Sequence, residues 1–170
     1  MTMAIDGQLL QEISAFLNKE SELLDDRKFK EWFDLFTEDM SYQIPIRYTA
    51  DRKISSDFCS NAWVMNEDRG SMEVRLSRLD TDYAWAEIPA SRTRHFLSNL
   101  RLYEGETENE ILVKANLLVY RSMFDDPTYD LLSAERQDTL RRVDAGWKIA
   151  KRVVYLDQTT ISTHNLAIFL

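Results

Sequence analysis

The sequence predicts an α+β domain, helices first and an antiparallel meander after them, and three observations carry that prediction. Apolar residues recur at three- and four-residue steps in the first third. They alternate with a period of two in the second half. Short Gly- or Asp-containing turns separate the long alternating runs. The 170 residues, 44% hydrophobic and 29% charged, suit one domain spanning 1–170 around one core.

The first helix is read from Leu9, Ile13, Phe16, Leu17, Glu20 and Leu24, with Leu23 beside Leu24; every position but Glu20 is apolar, so one stripe faces a core. Asp6 is placed to cap it, and Asp25-Asp26 break it. Phe29, Trp32, Phe33 and Phe36 restart the spacing as a second helix whose aromatic stripe suits burial better than a cofactor. Thr37 to Met40 read as a turn. Tyr42, Ile44 and Ile46 then alternate as a short strand, and Pro45 argues for an edge or end position. Arg47 to Asn61 is a long polar excursion of the kind that often meets a partner. Asn66-Glu67-Asp68 open a third helix with Met72, Leu76 and Leu79 on one face.

Phe96, Leu100 and Leu102 mark the next strand, and Gly105 to Asn109 a turn. Ile111, Val113, Ala115, Leu117 and Val119 alternate with Leu112, Lys114, Asn116, Leu118 and Tyr120. That strand is apolar on much of both faces, which predicts a central place and a second covered face. Asp125-Asp126-Pro127 turn the chain into a charged strand, Leu131 to Val143. Asp144-Ala145-Gly146 form a hairpin loop into the last strand, Trp147 to Gln158. There Trp147, Ile149, Val153 and Tyr155 share one parity and read as core, with Asp157 following. Asn165 to Leu170 end in Ile168-Phe169-Leu170, an apolar segment expected to dock on its own domain or on another subunit.

Composition excludes several functions. With 21 Lys+Arg against 29 Asp+Glu, a net charge of −8, the chain is a poor nucleic-acid binder. No apolar run approaches the roughly 18 residues that cross a bilayer, and Met1 to Gln11 do not read as a secretion signal. One cysteine, Cys59, forbids an intrachain disulfide and fits a reducing, cytoplasmic setting. With only four glycines there is no phosphate-binding loop.

Two stretches resemble the β, or small, subunits of bacterial aromatic-ring-hydroxylating dioxygenases of the Rieske type. One is Phe16 to Arg47, FLNKESELLDDRKFKEWFDLFTEDMSYQIPIR. The other runs from Ser91 to the end and contains SRTRHFLSNLRL, LRRVDAGWKIAKRVVYLDQ and NLAIFL in the family's order. The resemblance implies a cone of the NTF2-like, or cystatin-like, type, with helices packed in a curved antiparallel sheet. It also implies a homotrimer that supports three α subunits. Those carry a Rieske 2Fe–2S cluster and a mononuclear iron, and the complex turns an aromatic ring into a cis-dihydrodiol with O2 and electrons from NAD(P)H.

The residues allow little redox chemistry here. A Rieske centre needs two Cys and two His, and the chain has one Cys. A mononuclear iron needs two His and a carboxylate; the two histidines, His95 and His164, stand in no paired ligand motif. No catalytic, cofactor or metal residue is therefore assigned. A different reading remains open, because cones of this type also house ketosteroid-isomerase-, SnoaL- and scytalone-dehydratase-like enzymes. In that reading His95 would transfer protons with Tyr42 and Asp25 or Asp26. Arg92, Arg94, Asp157, Phe169 and Leu170 are the candidate subunit contacts. Arg141, Arg142, Lys148, Lys151 and Arg152 form a basic ladder that reads as a solvated face.

Overall fold

A computed structural model describes residues 5–49, 57–79, 90–161 and 168–170. Helix α1 (Gly7–Asp25) starts where expected: Asp6 Oδ1 accepts a hydrogen bond from the Leu9 N–H at 2.8 Å. Leu9, Ile13, Leu17, Leu23 and Leu24 are buried along one stripe, and so is Glu20. The helix closes with Lys28 N–H on Leu23 O and Arg27 N–H on Leu24 O. That closure holds Arg27 at φ 57, a left-handed position where glycine is usual.

Helix α2 is only Phe29–Phe33. The expected continuation to Phe36 fails, because Phe36 already opens strand β1 (Phe36–Arg47) and Leu35 O accepts the Ile149 N–H. The Thr37–Met40 turn is strand as well. Glu38 and Asp39 carry turn-like polarity because they point to solvent, while Phe36, Met40, Tyr42 and Ile44 point inward. Nor is β1 an edge. It lies between β2 and β6, and Pro45 is tolerated because it sits at a register break, beyond the last β1–β6 pair, Gln43 with Val153.

Strand β2 (Phe58–Asp68) takes up part of the expected polar excursion. It is an edge strand with Met65 as its one buried residue, so its sequence lacks alternation. Helix α3 (Arg69–Leu79) therefore begins two residues later than a cap at Asn66 predicted. The capping residue is Asp68, whose Oδ1 accepts the Ser71 N–H at 2.8 Å while Ser71 Oγ accepts the Asp68 N–H at 3.0 Å.

The second half is the predicted meander: β3 (Arg92–Glu104), β4 (Glu110–Ser122), β5 (Asp130–Val143) and β6 (Gly146–Leu156). The sheet order is β2-β1-β6-β5-β4-β3, antiparallel throughout except for β1 beside β6. Gly146, at φ 126, supplies the backbone that the β5–β6 hairpin requires. Helix α1 packs across the sheet, with Trp32, Phe36, Tyr42, Ile149 and Val154 fully buried.

One irregularity reverses the expected faces of β6. Leu140 pairs with Ile149 but Thr139 pairs with Lys151, so Ala150 is an extra residue. Beyond this bulge the parity flips. Arg152, Val154 and Leu156 face the core, while Val153 and Tyr155, expected inside, face outward. Arg152, expected on a solvated ladder, is fully buried.

Ile168, Phe169 and Leu170 are buried against their own chain. The Phe169 ring lies 4.6 Å from Trp32 and 5.7 Å from Phe29 between centroids. No described helix is long and apolar enough to cross a membrane.

A candidate functional site filled by its own chain

The interior of the cone holds two polar assemblies. The first is an ion cluster built from α1, β5 and β6. Glu20 Oε1 accepts from Arg152 Nη1 at 2.7 Å and from Trp32 Nε1 at 2.8 Å. Asp138 accepts from Arg152 Nε at 2.7 Å and from Nη2 at 3.1 Å. Arg136 Nη2 stands 3.0 Å from Glu20 Oε2, and its Nε 3.1 Å from Asp138 Oδ2. Those two contacts are close enough to pair charge but too poorly aligned to count as hydrogen bonds. Two cations and two anions cancel, which is the condition for burying any of them.

Burial pushes the Glu20 carboxyl up, but Arg136 and Arg152 outweigh it and hold the group at about 2. Burial likewise lowers Arg152, and Asp138 and Glu20 more than reverse that, leaving it above its ordinary value. Tyr42 is pushed up to about 12, chiefly by burial. No motif reading found this cluster, yet two signals were present. Glu20 sits in the apolar stripe of α1, and Arg136 and Asp138 occupy the inward parity of β5 between Ala134 and Leu140.

The second assembly clasps residues 168–170. Tyr42 Oη donates to Leu170 O at 2.9 Å and accepts from Leu170 N at 2.8 Å, and Arg152 Nη1 also reaches Leu170 O at 3.2 Å. His95, on β3, points inward. Its Nδ1 lies 2.6 Å from Asp25 Oδ1 and its Nε2 2.9 Å from Phe169 O. The His95 N–H and Thr93 Oγ1 also donate to the Asp25 carboxylate, both at 3.2 Å.

The structure thus brings together His95 and Asp25 from the enzyme reading. Asp26 is exposed beside them, and Tyr42 lies apart at the Leu170 end of the clasp. Both ring nitrogens of His95 face acceptors, so neither is turned to a substrate. A cavity of about 350 Å³ remains at the rim, bordered by Asp26, Arg27, Phe29, Thr93, His95 and Phe169.

The candidate subunit contacts divide. Phe169 and Leu170 are core residues of their own chain, so their side chains are not outward contacts. Arg92 is exposed and donates to Phe124 O at 2.8 Å. Arg94 is 67% exposed and 3.8 Å from Asp25 Oδ2. Asp157 accepts from Ser133 Oγ at 2.6 Å and stands 3.8 Å from Arg47. Two more members of the basic ladder find acids within the chain: Arg141 pairs with Glu110 and Asp39, and Arg142 with Glu12.

The residues do not fit an iron centre. One cysteine cannot make a Rieske site. His95 has both nitrogens engaged, and His164 lies outside the described residues. Among the described residues no cluster of three His, Cys, Asp or Glu could hold a metal.

Fold and interior define an α+β cone protein whose polar residues hold its own chain together. The sequence model described as the ring hydroxylating beta subunit matches residues 19–163. The chain is 39% identical over 170 residues to the biphenyl 2,3-dioxygenase subunit beta of Rhodococcus jostii, covering 97% of this chain and 90% of that one. It is 37% identical over 167 residues to a benzene 1,2-dioxygenase subunit beta of Pseudomonas putida, covering 95% and 89%. In fold it is similar to a chain of naphthalene 1,2-dioxygenase solved with indole bound, at TM-score 0.85 and 23% identity over 98% of this chain and 88% of that one. A putative scytalone dehydratase of Novosphingobium aromaticivorans shares the fold at TM-score 0.65 and 20% identity over 92% and 89%. The chain belongs to the β-subunit family of aromatic-ring-hydroxylating dioxygenases. It acts as part of an oxygenase complex together with an α subunit.

Proposed function

We propose that this chain is the structural subunit of a cytoplasmic, multicomponent ring-hydroxylating dioxygenase, folding as one domain over 1–170 and holding catalytic α subunits in place. The α subunit supplies the Rieske cluster and the mononuclear iron. The complex inserts O2 into an arene to give a cis-dihydrodiol, and no catalytic residue comes from this chain. Family membership across most of the chain carries the reading. The engaged state of His95, Asp25 and Tyr42 supports it over a stand-alone isomerase or dehydratase.

Relatives named for biphenyl, for benzene and for 3-phenylpropionate or cinnamic acid are 39%, 37% and 38% identical to the chain. Neutral and carboxylated rings are thus served by equally similar β chains. That supports an architectural role, with ring choice made by the α subunit.

The assembly we infer is a threefold homotrimer joined to three α subunits. Its support is the outer face of β3, β4 and β5. There Phe96 pairs with Leu118 and Tyr120 with Leu131 across the strands, and all four are between 37% and 53% exposed. An apolar patch of this kind marks an interface. Light scattering tests it. The 20.0 kDa chain runs as a trimer, and as a hexamer when co-expressed with the α subunit. Leu118→Glu reduces the isolated chain to monomers. A monomeric wild-type chain contradicts the trimer, and failure to co-purify with the α subunit contradicts the function.

A further inference from the structure

A second surface feature runs against the charge of the whole molecule. Arg27, Arg92 and Arg94 line one open pocket of about 500 Å³, together with Asp25, Thr93 and Phe124. The chain carries a net charge of −8, yet this pocket holds three guanidinium groups and one carboxylate. That carboxylate, Asp25, is already occupied by His95 and Thr93 and lies 3.8 Å from Arg94. Arg92 spends one N–H on Phe124 O. The Arg27 guanidinium has no hydrogen bond or ion pair among the described residues, and its left-handed backbone, closed on Leu24 O, fixes where the side chain departs. Asp26 borders the adjoining cavity instead. Exposed arginines beside an exposed aromatic, Phe124, make the composition of an interface centre.

The complementary charge is on the same chain. At the far end of β3, Glu104 and Glu106 flank Gly105 on an exposed turn, and neither carboxylate has a partner among the described residues. Twelve residue steps separate Arg92 from Glu104, at most roughly 40 Å, along a strand that bulges between Ser98 and Arg101. One strand thus carries a basic end and an acidic end too far apart to meet within one molecule. A contact of this kind between copies is head-to-tail, and head-to-tail contacts close into a ring when the rotation between copies closes.

We propose that the Arg27–Arg92–Arg94 pocket receives the acidic Glu104–Glu106 turn of a second copy of this chain. The inference rests on the homotrimeric reading above. It is continuous with the apolar face, because Arg94 is the cross-strand neighbour of Tyr120. The ion pairs set the register of the copies, and the apolar face supplies the buried area.

Charge reversal tests the pairing on the full chain. Arg92→Glu with Arg94→Glu raises the trimer dissociation constant at least tenfold, as does Glu104→Arg with Glu106→Arg. All four changes in one chain restore it to within about threefold of wild type. Arg92→Gln with Arg94→Gln, which adds no repulsion, weakens the trimer less and flattens its dependence on NaCl. Each mass is read by sedimentation, beside a circular dichroism spectrum that certifies the fold. A trimeric wild type unaffected by either reversal overturns the pairing and leaves the trimer standing. So does a four-fold variant that is not restored. If the arginine reversals leave the trimer intact and abolish α-subunit capture, the pocket belongs to the α subunit and the pairing is wrong. A monomeric wild type removes the trimer and the pairing together.

Discussion

Arg152 Nη1 donates to Glu20 Oε1 at 2.7 Å, tying the last strand to the first helix across 132 residues of chain. Both side chains are fully buried, and Asp138 and Arg136 complete a neutral cluster around them. Removing one member leaves the others short of charge in a medium that cannot solvate them. Glu20→Gln or Arg152→Met alone therefore costs about 3–5 kcal/mol, read as a lower urea midpoint with an unchanged slope.

The same pair sets the acid limit. The folded state holds Glu20 at about 2 against an ordinary 4.5. A depressed carboxyl contributes stability that is complete above the ordinary value and is lost as pH falls toward about 2. The shift corresponds to about 3 kcal/mol. Chemical denaturation between about pH 5 and about pH 2 should show that loss in wild type. Glu20→Gln, already less stable, should lack this component of the slope.

Tyr42 sets an alkaline limit of opposite sign. Its phenol is pushed up to about 12 from 10.0 by burial. A raised group contributes stability that is complete below its ordinary value and lost as pH rises through the folded one. The chain should weaken between about pH 10 and 12. Tyr42→Phe removes that component and, by leaving Leu170 N without its acceptor and Leu170 O with Arg152 alone, lowers stability at pH 7 by about 1–3 kcal/mol.

His95 is the residue on which the two functional readings part. If it clasps Phe169, His95→Gln lowers the thermal midpoint by several degrees, roughly 1–3 kcal/mol. It also leaves the turnover of assembled complex unchanged. Loss of turnover at full assembly and full iron content would instead make His95 a participant in the chemistry.

Two glycines give opposite outcomes. A Cβ at Gly105 would stand 2.5 Å from the Glu110 carbonyl, so Gly105→Ala should open the β3–β4 turn at a cost of about 1–3 kcal/mol. Gly7, at the first position of α1, has nothing within 4 Å of such an atom. Gly7→Ala should therefore raise stability by about 0.5–1 kcal/mol. Denaturant midpoints of the two variants decide both.

The sequence announced those elements whose burial is one-sided and regular. Helix α1 and strands β3, β4 and β6 follow from apolar spacing, the Asp6 cap from its residue type, and β5 from the turns on either side of it. Strand β2 was missed because an edge strand with one buried residue shows no period. The start of β1 was missed because outward Glu38 and Asp39 resemble a turn. The ion cluster was hidden by the bulge at Ala150, which moves Arg152 inside without any change in composition. Glu20 was visible as the polar residue in an apolar stripe, but its charged partners, Arg136 and Arg152, lie more than a hundred residues away. The clasp of 168–170 by Tyr42 and His95 was legible only as an apolar segment that had to dock somewhere.

The most direct test of the account is ring oxidation measured with the subunits apart and together. The purified chain should hold no stoichiometric iron and leave an arene unchanged in the presence of O2, NAD(P)H and the electron-transfer components. Combined with its α subunit it should restore cis-dihydrodiol formation in proportion to the hexamer formed. Oxidation of the arene by this chain alone would contradict the account.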